Sequence, residues 1–208
     1  MFSLESIMSD LGKERIIFHS EADFQHALAW KIAKSNPSLS IRLEYNPWEY
    51  EDNKHVDLWI LGDKQEIAIE LKYRTEKIGY IQNGEKFFLK NQSACDQARY
   101  DFCKDILKLE SIKRENSNFT KYAVFLTNDP KYWKNESDKE TFDHDFKINQ
   151  WKNLNGNLKW HSNASKGTIK GREKEITLKG KYKLEWNDYS NIPNEKNGQF
   201  RYVIIKIE

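Results

Sequence analysis

Apolar positions follow two periods along the first 130 residues. Phe24, Ala27, Leu28 and Ile32 recur at helical spacing behind Ser20, a capping residue with Asp23 three positions on. The spacing predicts a helix from Ser20 to about Ser35, ahead of Pro37. Residues 39–45 alternate as a strand, and residues 46–53 form a polar loop. Residues 55–61 and 66–73 alternate again, joined across Gly62-Asp63-Lys64-Gln65. A second hairpin over 78–90 turns at Asn83-Gly84. A long helix from Ser93 carries the stripe Cys95, Ala98, Phe102, Ile106 and Leu109. Residues 122–127 read as a short buried strand, stopped by Asn128-Asp129-Pro130. Residues 131–180 are polar with scattered Trp, and 200–207 read as a closing strand.

This order (helix, strand, strand, strand, helix, strand) predicts an α/β core over residues 1–130, with a mixed sheet flanked by helices. Residues 131–208 form a β-rich extension, basic and aromatic, expected to complete the same domain.

The chain of 208 residues is long enough to bury a core without disulfides or structural metal. Its two cysteines, Cys95 and Cys103, form no disulfide framework, and no apolar run approaches the ~20 residues of a membrane span. The N-terminus lacks the pattern of a secretion signal. A cytoplasmic protein without a membrane partner is the expectation. Net charge is only +2, but the charges are segregated. Eight acidic residues lie between Glu44 and Glu70, and eight basic ones between Lys159 and Lys183. Such a division suits a polyanion met by a metal ion, or two solvated faces that merely differ.

The chemistry concentrates on the pair of strands around Gly62. Val56, Leu58 and Ile60 point one way with Ile67, Ile69 and Leu71, so Asp57, Glu70 and Lys72 share the opposite face. If the hairpin closes symmetrically about Asp63-Lys64, Leu61 opposes Glu66 and Asp57 opposes Glu70. Two carboxylates so placed repel each other, and a divalent cation would relieve the repulsion. Lys72, on the same face, could reach a phosphate oxygen or an attacking water. The alternative is the solvated side of a half-exposed hairpin.

Asp57, twelve residues, then Glu70-Leu71-Lys72 resembles the signature of the PD-(D/E)xK nuclease superfamily, with Val56 where Pro is usual. The resemblance implies the restriction-endonuclease-like fold and hydrolysis of phosphodiester bonds. It implies Mg²⁺ (or Mn²⁺) held by Asp57, Glu70 and the Leu71 carbonyl, with Lys72 as the active-site lysine. Glu21, on the predicted first helix, matches the extra acidic residue many such enzymes carry. DNA is the implied partner ahead of RNA. Companion defence or repair proteins and a homodimer are compatible with it. The rival from another class is a silent module of the same fold that binds nucleic acid or protein.

Further candidates surround this set. His55 is next to the site as a general acid or a shield for Asp57, and Arg99 on the long helix could reach toward it or be simply flank. Gln97 and Tyr100 resemble a Gln and Tyr that some branches of the superfamily place on this helix, with two residues between them here where those branches have three. The Gly-punctuated run from Ser165 to Lys174 offers Lys166, Lys170, Arg172 and Lys174 to phosphates. Trp160, Tyr182 and Trp186 interleave with it, either as core or as platforms for bases. Asp143-His144-Asp145 could ligate a metal but reads as a surface cluster.

Overall fold

The structure is a computed structural model that describes residues 2–48, 54–114, 118–135 and 141–208. Glu49, Glu51 and Asp52, three of the acidic residues counted above, lie outside the described residues.

Helix α1 (Leu4–Glu14) starts where the Ser3 hydroxyl accepts the Ser6 amide, and it buries Leu4, Ile7, Met8 and Leu11. Sequence reasoning did not predict it. Helix α2 (Glu21–Ser35) starts as expected, with Ser20 Oγ accepting the Asp23 amide at 3.1 Å. It buries Phe24, Leu28 and Ile32 and ends before Pro37. Strands β1 (Ser40–Tyr45), β2 (Val56–Gly62) and β3 (Gln65–Arg74) follow, then the hairpin of β4 (Ile78–Gln82) and β5 (Glu85–Leu89). Asn83 and Gly84 both have positive φ, +50° and +87°, as a two-residue turn matching strand twist requires.

Helix α3 (Cys95–Ser111) then crosses over to β6 (Phe119–Thr127), which pairs parallel to β3. A parallel neighbour needs such a crossover because a tight turn cannot reverse the chain twice. In the C-terminal third, β7 (Asn153–Leu158), the short helix α4 (Lys166–Ile169), β8 (Ile176–Lys183), β9 (Trp186–Asn191) and β10 (Gln199–Ile207) complete the fold. The main sheet runs β1-β2-β3-β6-β10-β9, and β7-β8 forms a separate ribbon. The chain is thus mixed α/β, with helices on both faces of a mixed sheet.

Each sheet face has its own core. Leu58, Ile60, Ile67, Ile69 and Leu71 pack with α1 and α2, whereas Trp59, Ala68, Ala123 and Phe125 pack with α3 and the β7–β8 ribbon. Both faces of the β2–β3 hairpin are therefore covered, which corrects the half-exposed hairpin considered above. Trp160, Tyr182 and Trp186 serve the core on the α3 side. Tyr182 and Trp186 are buried, their polar atoms bonded to Glu110 and the Ile148 carbonyl, and Trp160 stacks on Tyr100. Of the two readings for these three residues, core packing is the one observed.

Candidate functional site

Hairpin register follows the sequence up to the position that matters. Gly62 pairs with Gln65, Leu61 with Glu66, Ile60 with Ile67 and Leu58 with Ile69. Continued by one residue, the ladder would oppose Asp57 to Glu70. It ends instead, and the ladder between β1 and β2 also skips this position, passing from Leu43–Leu58 to Tyr45–Val56. The missing partner in β1 is Glu44, whose backbone sits at φ +50°.

Opening a ladder inside a sheet leaves backbone groups that must find other partners. Three side chains supply them. Asp57 Oδ2 accepts the Leu71 amide at 2.6 Å, and Glu21 Oε2 accepts the Tyr73 amide at 2.7 Å. Gln25 Nε2 donates to the Asp57 carbonyl at 2.8 Å and to Glu44 Oε1 at 2.7 Å. A residue in a strand sends its N–H and its C=O toward the same neighbour. The Leu71 carbonyl therefore opens on the edge lined by Asp57, with Glu21 one step along. Asp57 and Glu21 are brought to this edge from β2 and α2, as expected. Glu44 and Gln25 were missed by sequence reasoning, since the ladder break that recruits them has no local signature.

Glu70 and Lys72 project from β3 on the α3 side of the sheet. They line a cleft of about 830 Å³ together with Asp57, His55 and Glu44, and with Asp101, Lys104, Asp105 and Lys108 of α3. The four α3 residues follow i, i+3, i+4, i+7 spacing and form one helix face. That spacing was the signal available in the sequence, outshone there by the apolar stripe.

Ion pairs cross this cleft. Lys108 Nζ lies 2.6 Å from Glu70 Oε1 and 2.9 Å from the His55 carbonyl, to which it donates. Lys72 Nζ lies 3.1 Å from Asp105 Oδ2. The carboxylate repulsion anticipated in the hairpin is thus offset from within the chain, by an ammonium group of α3. A dication is therefore not the sole remedy for that repulsion.

Residue electrostatics follow from burial and neighbours. Glu70 is 3% exposed. Burial, then the charges of Asp105 and Asp57, push its carboxyl well above the usual range against the pull of Lys108. Burial likewise raises Asp57 to about 6, opposed by the Leu71 amide and helped by Asp105. For Lys72, burial works downward, but Asp105 and Glu21 outweigh it and hold the ammonium above its ordinary value. Lys72 is a fixed cation.

Among the described residues, no group of three or more His, Cys, Asp or Glu side chains is set to hold a metal ion. Asp57 and Glu70, with the carbonyl of Leu71 that follows Glu70, are nonetheless a donor set of the kind Mg²⁺ takes, since that ion keeps several waters and needs only one or two carboxylates. Glu70 Oε1 is buried and, apart from the ion-pair contact to Lys108, makes no well-directed hydrogen bond. The hard oxygen set fits the ion.

The remaining candidates separate. Arg99 turns away from the cleft and pairs with buried Asp143, also donating to the Lys131 carbonyl at 2.6 Å. Its predicted reach toward the site is corrected, and so is the surface reading of Asp143. Gln97 donates to the Thr168 carbonyl at 3.0 Å, tying α4 to α3. Arg172 makes a two-pronged pair with Asp101, at 2.8 and 2.7 Å, and so docks the basic run at the cleft margin. Lys166, Lys170 and Lys174 beside it are exposed.

No helix of the described residues is long and apolar enough to cross a membrane. Comparison of the chain with protein families, with curated proteins and with solved structures gives no match.

Proposed function

We propose that this chain is a metal-dependent nuclease of PD-(D/E)xK type that hydrolyses phosphodiester bonds, with DNA as first substrate. The observation that carries the reading is the opened ladder. The sheet gives up strand pairing at Asp57 and fills the gap with the carboxylates of Asp57, which shares one cleft with Glu70 and Lys72, and of Glu21, which binds farther along the same β3 edge. A purely structural sheet gains nothing from exchanging ladder hydrogen bonds for acids.

In this reading Asp57, Glu70 and the Leu71 carbonyl hold Mg²⁺ or Mn²⁺. When bound, the ion activates a water and neutralises phosphate charge. Lys72, kept protonated by Asp105, offers its N–H groups to a non-bridging phosphate oxygen where negative charge grows. As a fixed cation it is a charge stabiliser and not the base. Glu21 lies near enough to influence Lys72 and orients the approach from the α2 side. The flanking phosphates run over Lys166, Lys170 and Lys174 at the cleft margin. The resemblance leaves restriction, repair and phage defence equally open as settings, with or without companion proteins.

One observation favours the silent binding module instead. Glu70 and Lys72 are each neutralised by an α3 residue, so the motif is charge-satisfied as it stands. One experiment separates the readings. Supercoiled plasmid is incubated with the protein in Mg²⁺ or EDTA, alongside Glu70→Ala. Nicking in Mg²⁺ that Glu70→Ala abolishes supports the enzyme. A gel shift without nicking supports the silent module, and neither effect removes nucleic acid from the reading.

A further inference from the structure

Farther along β3, Glu21 borders a second hollow of about 360 Å³, walled also by Tyr73, Arg74, Phe88 and Lys90. Its far wall is the β4–β5 hairpin. Phe88 there is 72% exposed, while its neighbours Phe87 and Leu89 are buried. A ring left in water between two buried residues forfeits the gain from burial unless something covers it. Its cross-strand partner is Gly79, so no side chain shields the ring from that side.

The hairpin is fixed in place. His19 stacks on Phe87 at 4.3 Å and its Nε2 lies 2.9 Å from Glu85 Oε1. At the base, Thr75 Oγ1 donates to the Lys90 carbonyl and the Thr75 amide to Gln92 Oε1, both at 2.9 Å. Phe88 is therefore presented on a rigid support. Lys86 and Lys90, both exposed, flank it in sequence. An open aromatic face between exposed cations matches the chemistry of a nucleotide, whose base stacks on the ring while its phosphate meets the ammonium groups.

We propose that this hollow binds the nucleotide next to the scissile phosphate, with its base stacked on Phe88. The inference rests on the nuclease reading and adds an unpaired or unstacked base as the substrate element taken here. The backbone path follows from the strand. Lys72 and Arg74 stand about 7 Å apart along β3, at roughly 3.3 Å per residue, so a phosphate held at Lys72 leaves its neighbour beside the hollow.

The test uses the full chain as Glu70→Gln, to keep the probe uncut, and single-stranded 12-mer oligothymidylates with one 2-aminopurine walked along them. One position should be quenched on binding. Adding Phe88→Leu, which keeps an apolar cover over Gly79, should remove the quench and weaken binding about tenfold. Adding Phe88→Trp should retain both. Melting curves confirm that each variant folds. A quench that survives Phe88→Leu, or affinity within twofold, overturns the subsite even if wild type cuts plasmid. If wild type neither binds nor cuts any DNA, the nuclease reading fails first and the subsite falls with it.

Discussion

The Lys108 ammonium group lies 2.6 Å from Glu70 Oε1, so a helix on one side of the sheet neutralises a carboxylate buried on the strand beneath it. Removing one partner of such a pair leaves an uncompensated charge. Lys108→Met should therefore destabilise the protein by about 2 kcal/mol, less than the ~3–5 kcal/mol of a fully buried pair because Lys108 is partly exposed. Glu70→Gln in the same background should recover most of the loss. Mg²⁺ should restore Lys108→Met more than it stabilises wild type, because the vacated carboxylate oxygen is then open to the ion. Thermal melts of the three proteins with Mg²⁺ and with EDTA measure this. An equal Mg²⁺ shift in all three would separate Lys108 from the ion site.

Asp57 gives a pH signature. Its folded value of about 6 stands above an ordinary aspartate at ~3.9. Between those values the native protein binds more protons than the unfolded chain, so stability falls as pH rises through that window. Asp57→Asn removes the penalty and keeps an oxygen for the Leu71 amide. The variant should exceed wild type by on the order of 2 kcal/mol at pH 7–8, and the gap should close as pH falls to 4. Denaturant melts across pH 4–8 check it. Cleavage should be lost in the same variant, so stability and activity move in opposite directions. A gap of constant size across the range would remove Asp57 titration as its cause.

The site was legible in the sequence where alternation and turn spacing fixed it. Leu58 and Ile60 must face the same core as Ile67 and Ile69, and this sets the register that puts Glu70 and Lys72 with Asp57. What alternation could not reveal was the end of the ladder. That depends on Gln25 and Glu44, residues 32 and 13 positions before Asp57 in the chain, arriving together in space. The α3 contribution was hidden for another reason. Asp101, Lys104, Asp105 and Lys108 look like any solvated helix face until the opposite strand is known to carry an acid and a lysine. Helix α1 carries a readable stripe at Leu4, Ile7, Met8 and Leu11, but its packing against α2 decides its stability. In β7, Leu154 and Leu158 are the only two strongly apolar residues, and the strand exists because β8 and α3 cover them.

Substitution can separate the backbone contact of Glu21 from the charge that the proposed reaction assigns to it. Its carboxylate accepts the Tyr73 amide, a group that would otherwise lack a strand partner. Glu21→Gln preserves an oxygen for that bond, so stability should change by less than about 0.5 kcal/mol, whereas Glu21→Ala should cost about 1–2 kcal/mol. If the negative charge serves the reaction, Glu21→Gln should slow Mg²⁺-dependent nicking at least tenfold while melting like wild type. Full-rate nicking by Glu21→Gln would leave Glu21 as a cap on the β3 edge and nothing more.

The basic run divides in the same way, because its charges are not equivalent. Arg172 is engaged with Asp101, and its carbonyl accepts the Trp160 indole N–H at 2.8 Å. Lys166, Lys170 and Lys174 are exposed beside it. Replacing those three lysines by Gln should leave melting unchanged and weaken DNA binding. The slope of log K against log salt should flatten by roughly 2–3, at ~0.9 per lost phosphate contact on duplex DNA. Arg172→Ala should act differently: it frees Asp101 at the cleft margin, loosens the run from α3 and costs up to about 1 kcal/mol as a partly exposed pair. Binding titrations across salt, set beside melts, distinguish the two. A triple-lysine variant with an unchanged salt slope would take this run off the nucleic-acid path, leaving Arg172 as a tether between the last third of the chain and the helix that lines the cleft.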